Sequence, residues 1–333
     1  MSSAVAAATI NTVAQWLNYV LAIPMITLGF IGAILTIIVF KQQKLFRRNP
    51  SIIYLLSGAI MTTIHLPTVY LQSILVEGFQ LGLYNTNDIA CRERNYLFYV
   101  TTVAAISYPC WAAFDQYAST HREAKFRHYW SSIKFARLAI IGTVIFWAII
   151  YFPLIFVSSS INNVCIVRDG PYRIFHAYIL TPIVFIMGPI TLTTIFTLGT
   201  IRNLRSSAFS NRHDRLAKQI RRMLIPQLII LAIFGIPFGI DSVYQDITRN
   251  VQKDILRQAI EHLFAEITRV IYHVIFVSTF YIYLYMSNDV RKIMSRLVHR
   301  YIKKNDVVPF NISSGKAISM RIIRSTSVSN QYR

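Results

Sequence analysis

His262, Glu266, Arg269 and His273 follow one another at intervals of four, three and four residues inside an apolar stretch. Those intervals put all four side chains on one face of a helix. Ionisable groups in such a segment are costly to bury, so they face water or protein rather than lipid and mark a candidate site. Two chemistries fit. In one, Arg269 receives an anionic group of a ligand while Glu266, or Asp241 one turn above Pro237 on the preceding apolar stretch, receives a cationic one. In the other, Glu266 and Arg269 form an i, i+3 pair that only makes the face soluble. The ligand cavity is the expectation. His65, beside Pro67, reads as a hydrogen-bonded interior histidine. A metal site from His65, His262 and His273 lacks an HExxH spacing or a close His pair, so no metal is expected. The polar residues are scattered in depth, with no nucleophile and base together, which argues against an enzyme.

These groups need a scaffold, and the stretch from Cys91 to Asp115 sets its scale. Twenty-four residues separate the two, about 36 Å at about 1.5 Å per helical residue, against a hydrocarbon core of about 30 Å. Between them, residues 97–114 carry no charge. A cysteine at one membrane face and an acid at the other therefore bracket one transmembrane helix. The whole chain agrees: 333 residues, 54% hydrophobic and 14% charged, where a soluble domain carries about 25% charged residues. A net charge of +20 would suit nucleic acid only if the basic residues shared one solvated face. They fall instead in short segments between apolar runs, so no nucleic-acid partner is expected.

Seven runs have spanning length, at 13–40, 51–76, 94–119, 135–157, 174–201, 223–244 and 259–286. Of the 34 Lys and Arg, 26 fall in connections on one side and seven on the other, with Arg269 inside the last run. Basic connections stay cytoplasmic, so the amino terminus is outside and the carboxy terminus inside. Cys91 and Cys165 both land outside, where they can pair; Cys110 lies nineteen residues beyond Cys91, about 28 Å deeper and out of disulfide reach. The expected organisation is a short outer segment over 1–15, a bundle over 16–287, an amphipathic helix over 288–304 and a disordered tail over 305–333. Val290, Ile293, Met294, Leu297 and Val298 recur at helical spacing among Arg and Lys, which lays that helix on the anionic inner leaflet.

Several motifs stand in order along these runs. They are Gly29-Phe30-Ile31-Gly32-Ala33-Ile34-Leu35 in the first, Asp115-Gln116-Tyr117 ending the third, Trp147 in the fourth, Pro189 and Pro237 in the fifth and sixth, and Thr279-Phe280-Tyr281-Ile282-Tyr283 in the last, followed by Val290-Arg291. With seven spans, a cysteine atop the third and another in the second outer loop, this set resembles the rhodopsin-like family of G-protein-coupled receptors, from Gly29 to about His299. The resemblance implies an all-α seven-helix bundle in the plasma membrane with a Cys91–Cys165 bridge. It implies an extracellular ligand held in the outer half by Phe98, Asp241, His262, Glu266, Arg269 and His273. A heterotrimeric G protein would be engaged through Asp115, Gln116, Tyr117, Thr279, Tyr283, Arg221 and Arg222, with bends at Pro189, Gly235 and Pro237; in the sixth span the bend is either a hinge that swings on activation or a static kink. Phe98 stands where amine receptors of the family carry an acid, which disfavours a biogenic amine. His273 stands where light sensors carry the retinal lysine, so no cofactor is expected. The charged outer half favours a peptide over a small organic ligand.

The chain departs from the family in two places. The family's sodium pocket maps onto Ala33, Thr62, Ala105, Gly235 and Thr279, a set without the carboxylate that a bare cation needs. Gln116 replaces the family's arginine and Ala217 offers no acid, so both ends of its resting ion lock are missing. Asp115 is then expected to pair with a cytoplasmic cation such as Arg122 or Lys134. The alternative, a transporter or channel, would be expected to show internal repeats or spans broken near the midplane, and no repeat is visible.

Overall fold

Three of the helices start where the sequence supplies an acceptor for their unpaired first amides. Asn49 accepts from Ile52 N, Asn87 from Ile89 N and Ser132 from Phe135 N. The computed structural model describes residues 3–42, 49–82, 87–161, 164–206 and 214–305. The long helices are α1 (Ser3–Gln42), α2 (Pro50–Glu77) and α3 (Asp88–Ser119), then, after the short α4 (Ala124–Trp130), α5 (Ile133–Val157). A two-stranded sheet, β1 (Ser158–Ile161) and β2 (Val164–Val167), leads to α6 (Pro171–Leu204), α7 (Asp214–Ile247), α8 (Ile255–Val277), α9 (Thr279–Met286) and α10 (Asn288–Asn305).

Among the described residues, six helices, α1, α2, α3, α5, α6 and α7, are long and apolar enough to cross a membrane, as a multi-pass membrane protein requires. The pair α8 and α9 passes the same criterion together, with a 42° bend between them. Helix α3 runs through the middle of the assembly, against α2, α5, α6 and α7, while α1 closes the far side against α2 and α8. The close approach of α1 to α8 and α9 explains two of its glycines. A Cβ on Gly29 would stand 2.9 Å from Val277 Cγ2, and one on Gly32 would stand 3.0 Å from Phe280 Cβ. A larger residue at either position would push the two helices apart.

The chain divides into two units, Met1–Ile293 and Met294–Arg333. Of the second, only the end of α10 lies within the described residues, and the tail expected to be disordered lies outside them from residue 306 on. At the other end, where a short non-spanning segment over 1–15 was expected, the chain is helical from Ser3, with Ala7 and Ala14 buried. Alanine has the highest helix propensity and lets another helix approach closely, and α1 uses both properties against α8.

Three of the long helices widen to π turns, at Asn18–Ala22, Leu66–Tyr70 and His176–Met187. Pro67 and Pro182 lie inside two of them and Pro24 just beyond the third. Proline has no amide hydrogen to donate and crowds the preceding turn, so the ladder there slips by one residue.

The hairpin was not anticipated from sequence. Ser160 in β1 faces Cys165 in β2, and Cys165 is joined to Cys91 at a Cα–Cα distance of 5.5 Å. Asp88 Oδ1 accepts from Ser160 N at 2.7 Å, and Arg92 and Asn95 donate to the Ser158 carbonyl and hydroxyl, both at 3.1 Å. The first turns of α3 thus hold the hairpin in place against the end of the bundle.

Candidate functional site

Beneath the hairpin, aromatic side chains from six helices form a continuous belt. Tyr70 stacks on His273 at 3.7 Å between ring centroids, and His273 faces His65 at 5.6 Å. Phe98 lies 6.2 Å from His65 and 4.8 Å from Tyr99, which meets His176 at 4.3 Å and Tyr151 at 5.2 Å. Tyr272, beside His273, stacks on Phe238 of α7 at 4.2 Å. Two of the π turns place these rings: Leu66–Tyr70 runs between His65 and Tyr70, and His176 opens the turn of α6.

Six polar atoms on this belt are buried with no hydrogen-bond partner among the described residues: His65 Nε2, Tyr70 OH, Tyr151 OH, His176 Nε2, Tyr272 OH and His273 Nε2. All six side chains are 6% exposed or less. Each such group costs about 1–3 kcal/mol if nothing bonds to it. Their concentration singles out this belt, whose six atoms are enclosed by packed protein. Phe98 and Tyr99 are only half-buried and present ring surface beside them.

The face predicted on α8 forms, and its charges are matched by protein. Arg269 is ion-paired with Glu266 and lies 3.8 Å from Glu77 Oε1. Asn18 Nδ2 donates to Glu266 Oε2 at 2.9 Å, and His262 Nε2 lies 3.3 Å from Glu77 Oε2. The i, i+3 pair that sequence allowed is thus present, enlarged by Asn18 and Glu77, which sequence reasoning passed over. Glu77 had a signal, an acid at the end of the second apolar run just before Gly78; Asn18, inside a span, had the signal of a polar group in an apolar run.

Asp241 does not join this group. It accepts from Gln245 Nε2 at 2.7 Å and from Thr268 Oγ1 at 3.3 Å, which puts it at the α7–α8 contact. Thr268 and Glu266 are two residues apart on α8, hence on different faces, so Asp241 and Glu266 serve different neighbours. His273 belongs to both arrangements: its ring is in the belt and its Nδ1 lies 2.8 Å from the Arg269 carbonyl.

At the opposite end, Asp115 is 2% exposed and accepts from the Ser51 and Ser131 hydroxyls, the latter at 2.6 Å. Gln116 Nε2 donates to the same Ser51 hydroxyl at 2.7 Å. The expected partners Arg122 and Lys134 are exposed, and no described cation lies within ion-pair distance of Asp115. Two hydroxyls meet the carboxylate where a salt bridge was expected, because α2 and the turn after α4 deliver serines directly against it. Tyr117 packs by Phe196 and Gly199 of α6. Arg222 is exposed and Arg221 half-buried.

Between the two ends, a small cavity of about 50 Å³ is lined by Thr62, Ala105, Cys110, Gln227, Thr279 and Tyr283 among others. Three of the five positions mapped onto a sodium pocket gather here, Thr62, Ala105 and Thr279, while Ala33 and Gly235 do not line it. No carboxylate lines it. Gln227 on α7 crosses the cavity to donate to Tyr283 OH at 3.0 Å and lies 3.5 Å from Thr279 Oγ1. Below Pro237 and Gly235, this hydrogen bond ties α7 to α9. Pro189 is buried and its carbonyl lies 3.8 Å from Cys110 Sγ, the free and half-buried thiol. A larger groove of about 790 Å³ between α3, α5 and α6 is apolar, with Trp111, Trp130 and Trp147 along it.

No protein-family model matches the chain, and no curated protein matches it in sequence.

Proposed function

We propose that the chain is a seven-span receptor of the G-protein-coupled kind, with α8 and α9 together as the seventh span. The disulfide end is extracellular, and the Asp115 end signals to a heterotrimeric G protein. One observation carries the reading: six orphaned polar atoms on a buried aromatic belt beneath a hairpin that Cys91 and Cys165 tether to α3. A site that demands hydrogen bonds and lies under a covalently fixed cover suits the capture of a ligand from outside. The Gln227–Tyr283 bond between α7 and α9 supplies a link from that belt to the opposite end.

The belt also bears on ligand class. The charges at its rim are engaged with each other, so a ligand gains most from hydrogen bonds and ring contacts. A compact polar molecule, or the tip of a peptide, meets that demand. Small changes at the belt would then shift α8 and α7 together, since Tyr272 stacks on Phe238, and a two-state element of that kind is what coupling between sites requires.

The test is a G-protein activation screen of expressing cells against small-molecule and peptide libraries, run beside an ion-flux assay. A hit should lose at least about tenfold in potency in Tyr151→Phe or His273→Phe, a loss of about 1.4 kcal/mol, with surface expression retained. Hits that ignore both substitutions, or flux without G-protein activation, would overturn the reading.

A further inference from the structure

Three side chains of metal-binding type meet at the disulfide end of the bundle, beside the aromatic belt. Glu77 closes α2, while His262 and Glu266 lie one turn apart on α8. One ligating atom from each lies within 4.8 Å of the other two. An interval of four residues brings two ligands to the same side of a helix, and here the third arrives from a helix remote in sequence.

The ligands are held from behind. Asn18, 1% exposed, donates to Glu266 Oε2 at 2.9 Å. The Gly78 carbonyl, next to Glu77, accepts from Gln15 Nε2 at 2.7 Å and from Tyr19 OH, which fixes the end of α2 against α1. Outer contacts of this kind orient metal ligands and reduce what they lose on binding. Both carboxylates lie against the Arg269 guanidinium, and an ion entering the cluster would share them with it. Access is graded, with the His262 side chain 44% exposed, Glu77 29% and Glu266 4%. An ion entering from solvent meets the imidazole first and the buried carboxylate last.

We infer that Glu77, His262 and Glu266 form a Zn²⁺ site that clasps α2 to α8. One imidazole nitrogen and two carboxylate oxygens, with water as the remaining ligand, make a tetrahedral set of borderline character. Ca²⁺ and Mg²⁺ prefer oxygen alone and larger or octahedral shells, so the imidazole selects against them. Arg269 stays beside the carboxylates and balances part of their charge. The inference stands apart from the receptor reading, because it concerns binding of the ion itself.

The experiment is a titration of the purified full chain in lipid nanodiscs with ZnCl₂ against a chromophoric chelator. One saturable Zn²⁺ per chain is expected, with a raised melting temperature and no displacement by excess Mg²⁺. His262→Ala and Glu77→Gln should each weaken binding by at least about tenfold. His128→Ala, on α4 at the Asp115 end, should leave it unchanged. Absence of a saturable site in the unmodified chain overturns the inference whether or not any variant folds. Zn²⁺ binding that survives both substitutions, or that Mg²⁺ displaces, does so equally.

Discussion

Arg269→Met leaves Glu266 without its cation, and Glu266 has a side chain only 4% exposed. Removing one partner of a buried pair costs about 3–5 kcal/mol, because the other charge stays buried and unmatched. Arg269 itself keeps 18% exposure, and Asn18 continues to donate to Glu266, so the cost here should be about 2–3 kcal/mol. The companion variant, Arg269→Met with Glu266→Leu, removes both charges. Its cost should fall to about 1 kcal/mol, mainly for the acceptor that Asn18 loses. Thermal unfolding in one detergent, with a chelator present, reads the difference. At about 2–4 °C per kcal/mol the single variant should melt about 5–10 °C below the parent and the double variant within a few degrees of it. Equal falls in the two variants would refute the reasoning, since the loss would then come from packing rather than from an unmatched charge.

Further outcomes follow from the same geometry. Cys91→Ser should destabilise the chain by about 4 kcal/mol, as the 74-residue separation of the bridged cysteines sets the chain entropy released; a protease-resistance or melting assay checks it. Ser51→Ala removes a donor to Asp115 and the acceptor of Gln116. It should therefore cost about 1–3 kcal/mol in the melting assay, whereas Thr9→Ala at an exposed site should cost nearly nothing. Gln227→Ala removes the 3.0 Å bond to Tyr283; on the receptor reading, ligand-independent G-protein activation should rise, and unchanged basal output would count against the link. Exchange of potassium for sodium should leave agonist affinity unchanged, because the small cavity between α2, α3 and α9 has no carboxylate to hold the ion.

What could be read from the chain alone was what repeats locally or follows from the bilayer. Apolar runs located the long helices, and Cys91 and Cys165 are bridged as expected, with Cys110 left as a free thiol. The helical face of His262, Glu266, Arg269 and His273 was legible for the same reason, since helical spacing fixes it without tertiary information. What met that face was not legible: Glu77 and His262 are 185 residues apart, and nothing local in either announces the other. Asp115 was expected to pair with a nearby cytoplasmic cation, but its neighbours are set by where Ser51 and Ser131 arrive, which is a matter of packing. The hairpin escaped because Ser158, Ser159 and Ser160 carry little strand propensity of their own; its pairing rests on Val164, Ile166, Val167 and the cover of α3. Asn18 and His176, which sequence reasoning passed over, lie buried in the widened turns.

Those widened turns affect how this chain can be lined up with any other. Each of the two five-residue ones, Asn18–Ala22 and Leu66–Tyr70, holds one residue more than the α-helical turn it replaces, and one residue corresponds to about 100° of rotation about the helix axis. A homologue without the extra residue in Leu66–Tyr70 would present a different side to the bundle from there to Glu77, while the preceding turns matched perfectly. Alignments of this protein should therefore permit single-residue gaps inside its helices, next to the prolines, where gap penalties usually forbid them.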